Sequence, residues 1–411
     1  MGSRRRATGV ALAVSLVALS AGCWGQPGAG PGNTFFNDTE SSLTVGNVST
    51  LQEAWSGRGG VSAVMSGKVV GAYWTGTGVD VVAHDVGTGA EIWSRTLTPS
   101  DVVSGLPTHP PVVSGTTVWA GYQARTTAGT CVFGTARLDL GSGALVGTDT
   151  TGAPSELVPF GGDVGVTSTT YFPGFGDVCF PSATLTQRVA DGASGTTEWS
   201  TGFVQAEGIT VVGDTLFAFL ASLLHSYPAA GCGAVTCAPT WTTQPTGVGG
   251  INDLAGTSTG PLVAIASGPG AGELSLYAID RPTGALVGST PLSFNASSLA
   301  LANGTAYVAG DTTLTAFDVA SCASGSCAPS WSATLGGRVT FANGLAVAGG
   351  VVYVGHEDGV VEAFAADGCG AAACSSVSSV NVNDTVMQMA VAQGHLFVGT
   401  IDTVTAFAPS A

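Results

Sequence analysis

The 411-residue sequence predicts an all-β fold, a β-propeller built from four-stranded blades. Three observations carry the prediction. One short strand pattern recurs roughly every 46 residues, an interval typical of propeller blades. Dipeptides that accept positive φ stand before it, as hairpins require. The chain ends one strand short of a whole copy and begins with one strand to spare.

The pattern reads Val81-Val82-Ala83-His84-Asp85, Leu276-Tyr277-Ala278-Ile279-Asp280 and Leu314-Thr315-Ala316-Phe317-Asp318. It returns as Val361-Glu362-Ala363-Phe364-Ala365 and Val404-Thr405-Ala406-Phe407-Ala408, with weaker copies ending at Asp139, Asp191 and Pro228. Eight copies predict eight blades; seven is the alternative, because copies two to four are degenerate. The small Ala in alternate register suits a strand squeezed between neighbouring sheets. A preceding strand is visible in Ala306–Ala309, Val352–Gly355 and Leu396–Gly399. Asn303-Gly304, Gly349-Gly350 and Gln393-Gly394 form the turn before each of them.

After the pattern comes Asp-x-x-Ser/Thr-Gly, at Asp85–Gly89, Asp139–Gly143, Asp191–Gly195 and Asp280–Gly284. Asp and Ser/Thr can bond local backbone groups there, and Gly accepts the left-handed conformation, so the element reads as a turn. A strand with a Trp often follows, as at Trp93 and Trp199. In the fourth, sixth and seventh copies a pair of cysteines takes the place of this turn. The last copy lacks its final strand, and Val48–Trp55 supplies an unpaired one. Pairing the two would close the ring and remove an exposed edge.

The remaining composition sets limits. There are 27 Asp plus Glu against 11 Lys plus Arg, a net charge of −16. Nucleic-acid binding rests on Lys and Arg neutralising phosphates, so that partner is excluded. Residues 1–22 read as a signal peptide. Arg4–Arg6 are followed by the apolar stretch Val10–Leu19 and the small residues Ser20-Ala21-Gly22. Leu19-Ser20-Ala21-Gly22-Cys23 resembles a bacterial lipobox, which implies that Cys23 is lipidated and becomes the mature N-terminus. Residues 23–42, rich in Gly and Pro, then read as a lipidated Cys with a flexible tether, and 43–411 as the propeller. Removing 1–22 takes away three arginines and leaves a net charge of −19. Anionic lipid repels that charge, so an acyl chain would have to hold the protein at a membrane.

Eight cysteines remain besides Cys23. Cys232 and Cys237, Cys322 and Cys327, and Cys369 and Cys374 share one spacing, leaving Cys131 and Cys179. In an exported chain these read as four structural disulfides. No His lies near the close pairs, and the five His show no ligand spacing, so no metal site is predicted.

The repeats Ala278-Ile279-Asp280…Thr283-Gly284 and Ala83-His84-Asp85…Thr88-Gly89…Trp93 resemble those of the quinoprotein-like propeller family. That family includes pyrroloquinoline-quinone dehydrogenases and many non-enzymatic relatives. The resemblance covers about residues 43–411 and identifies a scaffold rather than a chemistry. It implies, for the dehydrogenases, adjacent cysteines beside the quinone, a calcium-like ion and a catalytic Asp. This sequence has no adjacent Cys pair, and no metal or base motif carries over.

Other motifs read as structure. Gly256-Thr-Ser258-Thr-Gly260 spells a nucleophile elbow but no amphipathic helix follows. His356-Glu357-Asp358-Gly359 sits where a hairpin turn is expected. Arg137 replaces the small Ala of the second copy and reads as a degenerate repeat with slipped register. The expectation is therefore a lipid-anchored, non-catalytic propeller of the bacterial cell envelope, on the outer face of the cytoplasmic membrane or otherwise extracytoplasmic. It would serve as a binding or assembly scaffold without a cofactor, its partners being the membrane and a protein or small-molecule ligand on one face. The alternative is a dehydrogenase using pyrroloquinoline quinone with calcium.

Overall fold

The computed structural model describes residues 23–410 apart from 77, 174–178, 202–207, 269, 271 and 340–343. The expected signal peptide, 1–22, lies outside the described residues. Eight antiparallel sheets follow one another along the chain as blades of a ring. Blade 1 shows the plan: Ala63–Met65 innermost, then Lys68–Trp74, Val79–Asp85 and, outermost, Glu91–Thr96. The inner strands of blades 2 to 8 are Val102–Ser114, Ala153–Phe160, Gly208–Val212, Ile251–Ala255, Ala296–Ala302, Leu345–Ala348 and Gln388–Ala392. In blade 6 the two middle strands run on as one segment, Thr305–Asp318. Its halves pair with opposite neighbours across a bend at Asp311, whose φ is 45°. Among the described residues the helical pieces are two 3-10 turns, Val48–Thr50 and Val319–Ser324.

The spare N-terminal strand closes the ring. Leu51–Arg58 pairs antiparallel with Thr403–Pro409 and becomes the outer strand of blade 8. Leaving Thr403–Pro409 bare would expose a row of unpaired backbone groups.

Neighbouring blades are clamped by the turn that the Asp motif builds. Asp85 Oδ1 accepts from the Gly87 and Thr88 backbone N–H groups and the Thr88 hydroxyl; Asp139 and Asp280 likewise accept the N–H and hydroxyl of Ser142 and Thr283, and Asp191 accepts the Ser194 N–H. The closing Gly is left-handed, with φ of 69° at Gly89 and 68° at Gly143. A Cβ at Gly89 would lie 2.5 Å from the ring of Trp55, and one at Gly143 2.6 Å from Trp93. Only Gly meets both demands. Each Trp comes from the preceding blade and donates Nε1–H to a carbonyl of the same turn: Trp55 to Val86 at 2.8 Å, Trp93 to Leu140 at 3.0 Å. Where cysteines replace the motif, Gly231 and Gly368 take the glycine's place against Trp199 and Trp331. The structure links Cys232 to Cys237, Cys322 to Cys327 and Cys369 to Cys374 within these turns. Cys131 and Cys179 join the third strands of blades 2 and 3.

Arg137 is a correction to the sequence reading. Its register is not slipped: it pairs with Trp119 and, across the blade, with Gly147, where blade 1 pairs Ala83 with Trp93. Large and small have exchanged strands. The guanidinium fills the volume of the missing Trp, packs beneath Gly195 of blade 3 and donates to the Ala193 carbonyl at 2.9 Å.

The flexible tether expected over 23–42 is also corrected, because this segment is strapped across the ring. Trp24 is 1% exposed and exchanges backbone hydrogen bonds with Val64 of blade 1. The carbonyls of Gly25, Pro31, Gly32, Thr34 and Phe35 then accept from Val113, Val211, Gly256, Leu301 and Val347, on or beside the inner strands of blades 2, 4, 5, 6 and 7. Phe36–Asn37 adds a short parallel strand to blade 7, and the Asn37 side chain reaches Val391 of blade 8. Gly and Pro here do not make slack. At Gly32 the missing side chain lets the backbone come close: a Cβ there would meet the Gly256 carbonyl oxygen at 2.2 Å.

Candidate functional site

The strap converts the channel into a cup. It lies at the end of the ring where inner strands turn into second strands: Glu40 accepts from the Gly394 N–H, and Leu43 sits against Gly349, both in such turns. Among the described residues no such segment bonds across the opposite end, called the open end below. Behind the strap is a chamber of about 450 Å³ walled by the inner strands of blades 2 to 5. Gln26 and Asn33 of the strap face His109, Glu156, Thr210 and Asp253 across it.

Two carboxyls share this chamber. Asn33 Nδ2–H donates to Asp253 Oδ1 at 2.9 Å, and the Leu254 N–H donates to the same oxygen at 2.8 Å. Asp253 Oδ2 and Gln26 Oε1 are buried and receive no hydrogen bond of ordinary geometry. Burial pushes the Asp253 carboxyl up to about 7. Burial, with the nearby Asp253 charge adding to it, pushes Glu156 up to about 8, against the pull of the Ile209 N–H. Burial pushes His109 down to about 4. Its Nδ1 lies 2.7 Å from the Pro110 carbonyl oxygen, which can only accept, so Nδ1 carries the proton of the neutral ring.

Toward the open end lies a second cavity of about 420 Å³, with Pro107, Pro111, Met387 and Ile401 in its wall; it shares His109 and Pro110 with the first. Around this end the ring carries exposed apolar side chains at the ends of second strands and the starts of third strands. Trp74 is 46% exposed, Phe172 52%, Phe180 43% and Ile401 63%. They belong to blades 8, 1 and 3, and Ile401 also lines the second cavity.

The sequence-predicted residues fall elsewhere. Cys23 is a free thiol at the strap end, beside Met65 and Gly115. The eight disulfide cysteines lie in the blades. His356–Gly359 forms a hairpin turn, with His356 Nε2 3.3 Å from a Glu362 carboxylate oxygen. Gly256–Gly260 is likewise a turn between two strands. Sequence reasoning missed Gln26, Asn33, His109, Glu156 and Asp253. The available signal was an acid inside an inner-strand segment, at Pro154-Ser155-Glu156-Leu157 and Asn252-Asp253-Leu254.

Comparison with known proteins supplies the architecture. No family model matches the chain, and no curated protein matches it either. Among solved structures it is similar to the quinohemoprotein alcohol dehydrogenase ADHIIG of Pseudomonas putida HK5, at 13% identity over 95% of this chain and 81% of that one, with a TM-score of 0.65. The fold is that of the quinoprotein-like propellers. It is also similar to a europium-containing methanol dehydrogenase, at 11% identity over 94% and 98% with a TM-score of 0.62. BamB from Moraxella catarrhalis gives 16% identity over 87% and 99%, with a TM-score of 0.53. Identities this low carry the propeller fold and leave the chemistry to the site. Pyrroloquinoline quinone carries three carboxylates. The chamber has two acids of its own and no Lys or Arg among its described lining residues, so its walls offer those carboxylates no cationic side chain.

Proposed function

We propose that this chain is an extracytoplasmic, lipid-anchored propeller that binds a protein partner on its open end and performs no catalysis of its own. The observation that carries the reading is the strap. The chain's own N-terminal segment bars one end of the channel, and an acid wall lies behind it, while exposed apolar side chains stand at the other end. Four disulfides suit an oxidising compartment. An acyl group on Cys23 would sit directly at the strap end, because Trp24 beside it is pinned to blade 1 and leaves no slack. The strap end would then face the membrane, and the open end would face away from it.

The test is a dye-reduction assay of the purified chain with pyrroloquinoline quinone, calcium and a panel of primary alcohols. The reading predicts no alcohol-dependent reduction. Saturable, alcohol-dependent reduction would overturn it in favour of a dehydrogenase. Placing a photo-crosslinker at Trp74 or Phe172 in cells should trap one discrete partner, whereas a crosslinker at Asn303, on the strap end, should not. Equal trapping from both ends would contradict the assigned orientation.

A further inference from the structure

We propose that the chamber behind the strap is a binding site for an organic cation, a primary ammonium or guanidinium group held between Glu156, Asp253 and the Gln26 side-chain carbonyl. The walls supply acceptors in excess of donors. Gln26 Oε1 is buried without a donor in a residue 3% exposed, and Asp253 Oδ2 has none of ordinary geometry, the Leu299 N–H acting on that carboxyl at poorer geometry. Buried acceptors are nearly always satisfied, so the open Gln26 oxygen beside two carboxyls points to a donor that a bound ligand would supply. Gln26 is fixed in this sense, because its Nε2–H group donates to the Gly30 carbonyl at 2.8 Å within the strap.

Charge selects the kind of donor. The titratable groups lining the chamber are His109, Glu156 and Asp253, and no Lys or Arg is among the described lining residues. His109 is neutral. A chain of net charge −16 focuses a negative potential into a narrow, low-dielectric cup, which concentrates cations there. Burial already raises both carboxyls, and a bound cation would supply the positive charge whose absence raises them. Binding thus releases a carboxyl proton to solvent as the ligand's N–H groups take its place. The chamber and the open-end cavity share His109 and Pro110 in their walls. A chamber of about 450 Å³ admits a small amine or one long basic side chain. The same chemistry could arrive as a free molecule or as the Lys or Arg of a docked partner. Only the second source rests on the partner reading above.

Titration calorimetry on the full chain in detergent at pH 7 tests this with two probes: agmatine as a free guanidinium, and an Arg-containing hexapeptide. The expected result is saturable binding of one or both at about millimolar affinity or tighter. Buffer-dependent enthalpy should show proton release. Asp253→Asn should weaken binding about tenfold or more while remaining cooperatively folded. Tighter binding of the peptide assigns the site to a partner's side chain; tighter binding of agmatine assigns it to a small molecule. No saturation by either probe would overturn the proposal. So would affinity unchanged in both Asp253→Asn and Glu156→Gln, or saturation by neutral sorbitol in preference to the cations. The alcohol assay is independent of all these outcomes, so either proposal can fail alone.

Discussion

Trp55→Ala should lower the unfolding free energy by about 3–5 kcal/mol, the range for truncating a buried Trp. Trp55 is 8% exposed and lies on the strand that closes the ring. Its ring underlies Gly89 and its Nε1–H reaches the Val86 carbonyl, so one side chain ties blade 8 to blade 1. The turn it reaches lies in the same stretch of chain, but the strand it stands on is paired with Thr403–Pro409, some 350 residues away in sequence, and losing that pairing opens the ring and bares that edge. Urea unfolding of the variant beside Gln52→Ala, an exposed position on the same strand, checks the magnitude. A change at Gln52 should stay within about 0.5 kcal/mol. Equal effects at the two positions would mean that the closing strand acts through pairing alone.

Asp253→Asn should stabilise the protein at pH 8 and leave it nearly unchanged at pH 4. The sign follows from proton binding. Asp253 is held up to about 7 in the folded chain against an ordinary value of 3.8, so between those limits the folded state binds a proton that the unfolded state has released. Stability therefore falls as pH rises through that window. The cost at pH 8 is about 4 kcal/mol for a shift of about three units. Asn removes it because Asn does not ionise. His109 works in the opposite sense, since it is buried neutral and its contribution is lost below its ordinary value of 6.5. For that reason the variant must be compared with the parent at each pH, by urea unfolding. A variant that tracks the parent at every pH would show that Asp253 is solvated. A variant that gains stability while losing agmatine would show a carboxyl kept for binding at the expense of the fold.

The repeat was legible because its physics is local. Asp85 bonds its own turn, Gly89 supplies the left-handed residue, and Trp93 stands at a fixed distance along the chain. The replacement of that turn by cysteine pairs could also be read, because it occupies the same place between two strands. Arg137 could not, since its role depends on Gly147 across the blade and Gly195 in the next blade, and neither contact leaves a mark in the sequence nearby. The strap misled for a similar reason. Gly28, Gly30 and Gly32 have the composition of a linker, yet Gly32 serves close approach to Gly256, more than 200 residues away, and the left-handed Gly28 closes on Asn33 within the strap. Glu156 and Asp253 were hidden because their meeting depends on two inner strands facing one channel. Each alone is an acid in an apolar strand.

Amide hydrogen exchange tests the central claim most directly, that the N-terminal segment bars one end of the ring. The N–H groups of Val113, Val211, Gly256, Leu301 and Val347 donate to strap carbonyls and would otherwise face the channel. They should exchange as slowly as amides within the blades, and deletion of residues 24–37 should release all five while the rest of the ring stays protected. Fast exchange of these five amides in the intact chain would show that the segment hangs free and that the channel is open at both ends.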